Sequence, residues 1–192
     1  NTLDIISKDN NKIFKVVIEF KPFYLVSNFK YQTFRIKDLI ENPFFMEILR
    51  SQILNNKNLN AKINFDVKDV YDFDRFSDLS LKLKIEEGNY NFSNSNIIWK
   101  ENVNVSFSDS FLNFNKEKIN LNGRTSFDVK NQDEFYKFFQ IKKDLRKDIK
   151  KIELDFNYDF NDEKITFDNL RIDDSSNKKI EEIVSNFNSE SK

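Results

Sequence analysis

The chain has 192 residues and a mass of 23.1 kDa, enough for one domain with a sizeable core or for an elongated sheet carrying helices at its ends. Its 31 basic and 32 acidic residues are interspersed and give a formal net charge of −1, so no basic stripe indicates a nucleic-acid-binding surface. It contains no histidine and no cysteine, which excludes disulfides, thiolate chemistry, the usual acid–base groupings and a typical zinc site. We therefore expect a protein that is not an enzyme and that holds no metal and no cofactor.

Nothing in the sequence predicts a membrane-spanning helix, because no run of about 18 apolar residues occurs. The sequence starts at Asn1 without an initiator methionine or a signal-like apolar segment. We expect it to be part of a longer chain or a mature form. The lack of cysteine leaves the redox compartment open.

The N-terminal part, residues 1–57, is predicted to contain strands followed by a helix. Apolar residues alternate with polar ones from Phe14 to Phe20, and a second strand is expected over Phe29–Ile36. From Lys37 to Leu54 the apolar residues approach helical spacing, and Pro43 should divide this stretch into a turn and a helix.

Residues 58–175 are a train of short segments in which apolar and polar residues alternate, as in half-buried strands. The gaps between them are short and polar, which favours antiparallel hairpins because parallel strands need a crossover of about a dozen residues. A single antiparallel meander with one apolar face is therefore predicted. Its first strands are expected at Leu59–Val70, Leu79–Glu86, Tyr90–Trp99, Asn102–Ser108, Phe111–Asn115 and Lys118–Val129.

The chain has only two glycines, and both fall in this region. Gly88 follows Glu87 between two strands, which predicts a tight turn. Gly123 lies inside a strand, where glycine indicates a bulge or a close approach of another backbone.

The C-terminal third is predicted to hold a short aromatic helix, a hairpin and a final helix. Asn131, with Glu134 three positions later, indicates a helix start, and Phe135 is the first of the phenylalanines that follow it on one face. A hairpin is expected from Ile152–Phe160 and Lys164–Ile172. Residues 176–192 should form a helix or a frayed tail.

The apolar face of the predicted sheet is the candidate site. Two interpretations stay open: a closed core beneath a second layer, as in a structural or adhesion module, or an open trough that shelters acyl chains. Tyr90 and Trp99 would line such a groove or be packed in a core. The predicted lining, called here the candidate groove residues, consists of Ile63, Phe65, Leu81, Leu83, Ile85, Val103, Val105, Phe107, Ile119, Leu121, Ile152, Leu154 and Phe156.

Two polar clusters offer weaker candidates. Asp72, Asp74 and Asp78 lie close together but lack the glycine and the terminal glutamate of a calcium loop. A carboxylate hydrolase acting through the first two is a third hypothesis that only the residue types support. A basic cluster could meet anionic lipid headgroups, although a solvated connector is the more ordinary explanation. The cluster consists of Lys142, Lys143, Arg146, Lys147, Lys150 and Lys151, and the first four are the headgroup candidates.

From Phe76 to Ile172 the chain resembles the C-terminal region of AsmA-like proteins, which are bacterial envelope proteins of the bridge-like lipid-transfer class. The order of the elements carries the resemblance: a strand ending in glycine, a strand with an internal glycine, a short aromatic helix and a final hairpin. Residues before Phe76 are compatible with the preceding repeats of that family. The matching segments are Phe76–Gly88, Ile119–Val129, Phe135–Gln140 and Arg146–Asp159.

The resemblance implies an elongated, curved and open gutter of antiparallel strands whose concave face is apolar, capped by short amphipathic helices. It further implies phospholipid acyl chains as the ligand, and a role in lipid transport between membranes or in outer-membrane homeostasis. The expected location is the bacterial periplasm, with an inner-membrane anchor in parts of the protein outside this sequence. The family offers no catalytic residues, and no nucleic acid is expected as a partner.

Overall fold

The computed structural model describes residues 2–37, 47, 51, 56–71, 76–115 and 118–190. The described residues form one eleven-stranded sheet and two short helices, α1 (Gln132–Phe138) and α2 (Lys178–Glu190), which confirms the prediction of a mainly β fold with short helices. The strands are β1 (Thr2–Lys8), β2 (Lys12–Phe20), β3 (Phe23–Phe34), β4 (Asn60–Val70), β5 (Phe76–Glu86), β6 (Asn89–Asn91), β7 (Asn96–Trp99), β8 (Val103–Asn115), β9 (Lys118–Val129), β10 (Lys151–Asp159) and β11 (Lys164–Ile172).

The strands lie in the order β1-β2-β3-β4-β5-β6-β8-β9-β10-β11, and β7 pairs with β5 and β8 beside β6. Every pairing is antiparallel except that of β3 with β4, which is parallel. All strand pairings within residues 58–175 are antiparallel, as predicted for the meander, and the one parallel pairing joins that segment to β3. The connection from residue 35 to residue 59 is longer than the dozen or so residues that a parallel crossover needs. The same pairing joins the strands of residues 1–57 to those of residues 58–175 in one sheet.

Several strand assignments differ from the prediction, and β3 begins at Phe23, well before the expected start at Phe29. Strand β1, which lies at one end of the strand order, was not predicted. The segment expected as one strand from Tyr90 to Trp99 is divided into β6 and β7, because the chain turns at Asn94, where φ is 67°. Conversely, the two strands expected over Asn102–Ser108 and Phe111–Asn115 are one strand, β8, with a bulge between them.

Both glycines occupy the positions that their chemistry suggested. Glu87 and Gly88 have φ values of 51° and 81° and form the two-residue turn between β5 and β6. Gly123 lies in β9 opposite the bulge of β8, and a Cβ atom there would lie only 2.7 Å from the Cα atom of Ser110. The close approach of another backbone therefore explains the glycine.

The helices lie at the margins of the sheet. Asn131 caps α1 as predicted, since its side-chain oxygen accepts a hydrogen bond from the Glu134 backbone N–H at 3.2 Å. The ring centroids of Phe138 and Trp99 are 4.7 Å apart, which holds α1 against the end of β7. Helix α2 packs on β11 and realises the predicted C-terminal helix. The helix expected over Lys37–Leu54 lies almost wholly outside the described residues.

The described residues form one layer. Their elements in extensive contact are neighbouring strands, together with α2 on β11, and no second sheet packs on the first within this part of the chain. Apolar side chains therefore cluster along the sheet in three groups, centred on Ile85, on Val67 and on Val103. The concave curvature expected of a gutter stays a prediction.

Candidate functional site

The strand register places the candidate groove residues on one face of the sheet. Directly paired residues share a face, as do residues two apart along a strand. In β4 and β5, Ile63 pairs with Leu83 and Phe65 pairs with Leu81. In β8, β9 and β10 the relevant pairs are Val103–Val129, Val105–Phe127, Phe107–Thr125, Ile152–Phe127, Leu154–Thr125 and Phe156–Gly123.

One row of paired residues connects these two groups across the middle of the sheet. Ile85 pairs with Tyr90, Tyr90 with Leu112, and Leu112 with Leu121. Ile119 precedes Leu121 by two positions and lies on the same face. The candidate groove residues therefore belong to a single surface, called here the apolar face.

Burial varies along the apolar face. Val103, Ile85, Ile119, Val105 and Phe156 are buried. The remaining candidate groove residues are half-buried, and they are concentrated in two places. One is the middle of β4 and β5, and the other is β10 with its partners; the half-buried set is Ile63, Phe65, Leu81, Leu83, Phe107, Leu121, Ile152 and Leu154.

The apolar face extends beyond the predicted lining into β2 and β3. Leu25 pairs with Ala61, and Phe29 pairs with both Phe65 and Phe14. Ring centroids of Phe14 and Phe29 are 6.1 Å apart, and those of Phe29 and Phe65 are 6.3 Å apart, so an aromatic row crosses three strands. Sequence reasoning missed these residues because it began the second strand at Phe29 and treated this region apart from the meander.

The opposite face of the sheet is polar along much of its length, although Val17 and Val26 pair on it in β2 and β3. The Asn64 side chain donates to the Asn28 side-chain oxygen at 2.7 Å across β3 and β4. Further along the sheet, Arg124 donates to both carboxylate oxygens of Asp155, at 2.7 and 3.3 Å. This pair of hydrogen bonds lowers the pKa of Asp155. Cross-strand polar pairs of this kind belong on a solvated surface, so the two faces differ in chemistry along the sheet.

Two buried hydroxyl groups on the apolar face have no hydrogen-bond partner among the described residues: those of Ser27 and Tyr90. Tyr90 is 1% exposed, and its burial raises the pKa of its hydroxyl to about 12. Trp99, the other aromatic residue considered for a groove, packs instead against α1. A buried hydroxyl without a partner costs free energy, which makes Tyr90 an informative position for mutation.

The predicted headgroup residues lie in the connection after α1. This segment is fixed by Tyr136, whose hydroxyl accepts the Lys147 backbone N–H at 3.2 Å. Lys142, Lys143 and Lys147 are exposed. Arg146 differs, because it donates to the Ile141 carbonyl at 3.0 Å and lies 3.6 Å from the Asp133 carboxylate. The Arg146 side chain is therefore half-buried in local contacts within the connection.

The acidic cluster and the surface cavity give little support for a second site. Asp72 and Asp74 lie outside the described residues, and within the described ranges no group of three or more carboxylates is placed to hold a metal ion. None of the helices in the described part of the chain combines the length and apolarity needed to cross a membrane. A cavity of about 810 Å³ opens near the β5–β6 turn, but its lining mixes charges, including Glu19, Lys84 and Glu86, and contains none of the candidate groove residues.

Comparison with known proteins identifies no relative. No family model, no curated protein and no solved structure matches the chain.

Proposed function

We propose that the chain is a non-enzymatic segment that binds phospholipid acyl chains along the apolar face. One observation carries the proposal: the register aligns the candidate groove residues on one surface of the sheet, which is a single layer within the described residues, while the opposite surface is largely polar. A sheet with these two surfaces has an apolar side that needs a cover, and hydrocarbon is a suitable one.

The dimensions of the sheet support an acyl chain as that cover. A lipid tail spans about 15 Å, half of the roughly 30 Å hydrocarbon core of a bilayer. Strands spaced about 4.8 Å apart would place such a tail across about three strands. The half-buried residues of β4 and β5, with Phe29 of β3 beside them, form a patch of that width. Each methylene covered would contribute up to about 0.8 kcal/mol.

The resemblance to AsmA-like proteins supports the biological setting. It favours lipid transport between the membranes of a bacterial envelope, or maintenance of the outer membrane. In that setting the segment lies in the periplasm, and an inner-membrane anchor belongs to other parts of the protein. The exposed lysines after α1 would meet anionic headgroups, each contributing about 1 kcal/mol near an anionic surface.

The first test asks whether lipid copurifies with the protein. The chain is exported to a bacterial periplasm, purified and examined by native mass spectrometry, followed by lipid extraction. The proposal expects bound phospholipid. A well-folded protein that carries no lipid, and that takes none up from phospholipid vesicles after delipidation, would refute it and favour a structural or adhesion module.

A matched pair of variants then assigns the binding surface. Leu83→Asp places a charge on the apolar face, and Lys82→Asp places the same charge one residue away on the polar face. Lipid should be lost from the first variant and retained by the second. Phe107→Asp should behave like Leu83→Asp. Circular dichroism checks that each variant is folded, and unchanged lipid uptake by folded Leu83→Asp would show that this residue does not line the site.

A further inference from the structure

The connection between β9 and β10 is much longer than its path requires. The two strands are hydrogen-bonded neighbours, and Asp128 pairs with Lys151 where they are joined. Adjacent antiparallel strands are ordinarily joined by about two to five residues. Here residues 130–150 intervene, and they form α1 and a one-turn 3₁₀ helix, Lys143–Leu145. These residues, called here the β9–β10 insertion, are a separate structural unit at the margin of the sheet.

Hydrogen bonds fold the insertion back on α1. Tyr136 is buried, and its hydroxyl donates to the Lys147 carbonyl and accepts the Lys147 backbone N–H at 3.2 Å. The Ile149 backbone N–H donates to the Gln132 side-chain oxygen at 3.3 Å, which ties the end of the insertion to α1 as well. The 3₁₀ turn that lies between Tyr136 and these contacts is thereby held in place.

Two large apolar side chains of the insertion face solvent. Leu145 is 65% exposed and Phe139 is 53% exposed. Another part of α1 is packed, since the ring centroids of Phe135 and Trp99 are 6.2 Å apart. Exposed apolar side chains are common on protein surfaces, so the groups around these two decide which partner they fit.

The free charges around Leu145 are mainly positive. Lys142, Lys143 and Lys147 lie within three positions of Leu145, are exposed, and form no ion pair with any described residue. Of the carboxylates in the insertion, Asp144 alone is likewise unpaired within the described part of the chain. The others are engaged: Asp133 lies 3.6 Å from Arg146, Glu134 lies 2.6 Å from Lys137, and Asp148 lies 4.0 Å from Lys150.

We propose that the β9–β10 insertion docks on the surface of an anionic phospholipid bilayer. Leu145 and Phe139 enter the boundary between headgroups and acyl chains, and Lys142, Lys143 and Lys147 meet the headgroups. An exposed leucine among free lysines suits such a surface, whereas protein–protein interfaces are depleted of lysine. The inference rests on the proposed function for the presence of a membrane, but different variants test the two.

Sedimentation with vesicles measures the docking. The protein is mixed with vesicles of equal parts phosphatidylglycerol and phosphatidylethanolamine, or of phosphatidylcholine alone, and the pelleted fraction is measured. Binding to the anionic vesicles should weaken as salt is added, because salt screens the lysines. Binding to phosphatidylcholine should be at least about tenfold weaker. No binding to the anionic vesicles, or equal binding to both kinds, overturns the proposal.

Charge removal tests the assigned surface. A lysine near an anionic surface contributes about fivefold in affinity, so Lys142→Gln with Lys143→Gln should weaken binding at least about tenfold. Lys30→Gln with Lys62→Gln is the matched control, because these exposed lysines lie on β3 and β4, on the face opposite the apolar face. The control should bind nearly as the wild type does. Equal losses in both double variants would show that net charge alone drives binding, and would overturn the assignment.

A fluorescent probe tests whether the 3₁₀ turn enters the bilayer. The chain has no cysteine, so Leu145→Cys offers a unique thiol for a nitrobenzoxadiazole fluorophore. Its emission should brighten and shift to shorter wavelength on the anionic vesicles. The same label at Ile183→Cys, a position 61% exposed on α2, should not respond.

The proposed function and the docking are separated by Leu83→Asp. This variant is expected to lose lipid uptake along the apolar face, but it should still dock on the anionic vesicles because the β9–β10 insertion is unchanged. Loss of docking in folded Leu83→Asp would show that the apolar face holds the membrane, and would overturn the docking proposal. An unresponsive label at position 145 would overturn it as well.

Discussion

Replacing Gly123 with alanine should destabilise the protein more than any ordinary glycine-to-alanine change in a strand. The added Cβ would lie 2.1 Å from the Ser110 Oγ atom and 2.7 Å from the Ser110 Cα atom. Carbon atoms pack best at about 3.5–4.0 Å, so the backbone at Ser110 would have to retreat by about 1 Å. Two hydrogen bonds oppose that movement: Phe92 N–H donates to the Ser110 carbonyl at 2.7 Å, and Ser110 N–H donates to Ser93 Oγ at 3.0 Å.

The expected cost follows from this geometry. Overpacking a well-packed interior costs about 1–3 kcal/mol. Because the obstacle is backbone held from its other side, we expect a value near the upper end, about 3 kcal/mol. For a chain of this size that corresponds to a fall in Tm of roughly 6–12 °C. Urea unfolding followed by circular dichroism gives the free energy of unfolding, and a thermal scan gives the Tm.

Two further variants separate the clash from other effects. Ser110→Gly removes two of the three crowding atoms. The double variant Ser110→Gly, Gly123→Ala should therefore lose less stability than the sum of the two single variants, by about 1 kcal/mol or more. Asn122→Ala, one residue away on the polar face, should cost less than about 1.5 kcal/mol through the loss of its hydrogen bond with Asn113. If Gly123→Ala is within about 0.5 kcal/mol of wild type, the close approach does not constrain this strand.

Three other changes probe buried and edge groups. Tyr90→Phe should be at least as stable as wild type at pH 7, because it removes a buried hydroxyl that has no hydrogen-bond partner among the described residues. Burial raises the pKa of Tyr90 to about 12, from about 10 in the unfolded chain, so the unfolded state loses its proton first as the pH rises. The free energy of unfolding of the wild type, measured in urea melts, should therefore fall relative to that of Tyr90→Phe between about pH 10 and pH 12. Asn188→Ala should cost about 1 kcal/mol and increase hydrogen exchange at Phe167, whereas unchanged exchange would contradict the hydrogen bonds between the Asn188 side chain and the Phe167 backbone. Arg124→Met should cost less than about 1 kcal/mol at pH 7 because both partners are partly exposed. Arg124 lowers the Asp155 pKa, so this cost should be present above about pH 4 and shrink as pH falls through the folded pKa, and a cost independent of pH would refute the pairing.

Local chemistry made several elements predictable. The side chain of Asn131 indicated a cap, and the structure has its oxygen accepting the Glu134 N–H. The strand expected over Lys118–Val129 has the same bounds in the structure. Its alternation is regular, and turn residues lie at both ends. These features depend on interactions within a few residues of the chain, which a sequence pattern records directly.

Pairing between distant segments was less predictable. The parallel junction of β3 and β4 joins segments far apart in sequence, and neither segment carries a signal that specifies the direction of its neighbour. The edge strand β1 was missed for a related reason. It is exposed on its outer side, so its apolar residues do not follow the clean alternation of a half-buried strand. The choice between a closed core and an open trough for the apolar face likewise depends on contacts between distant segments, which the sequence pattern does not specify.

Within β8, the bulge interrupts the period-two alternation of apolar and polar residues, and this irregularity affects the proposed site. Phe107 and Leu112 lie five positions apart, which would place them on opposite faces of a regular strand. The bulge between Ser108 and Phe111 inserts one extra residue relative to β9, and both side chains thereby lie on the apolar face. Ser110, in the bulge, contacts the β9 backbone where only glycine leaves room. Gly123 is therefore needed for the continuity of the apolar face, and its replacement should impair lipid uptake as well as stability.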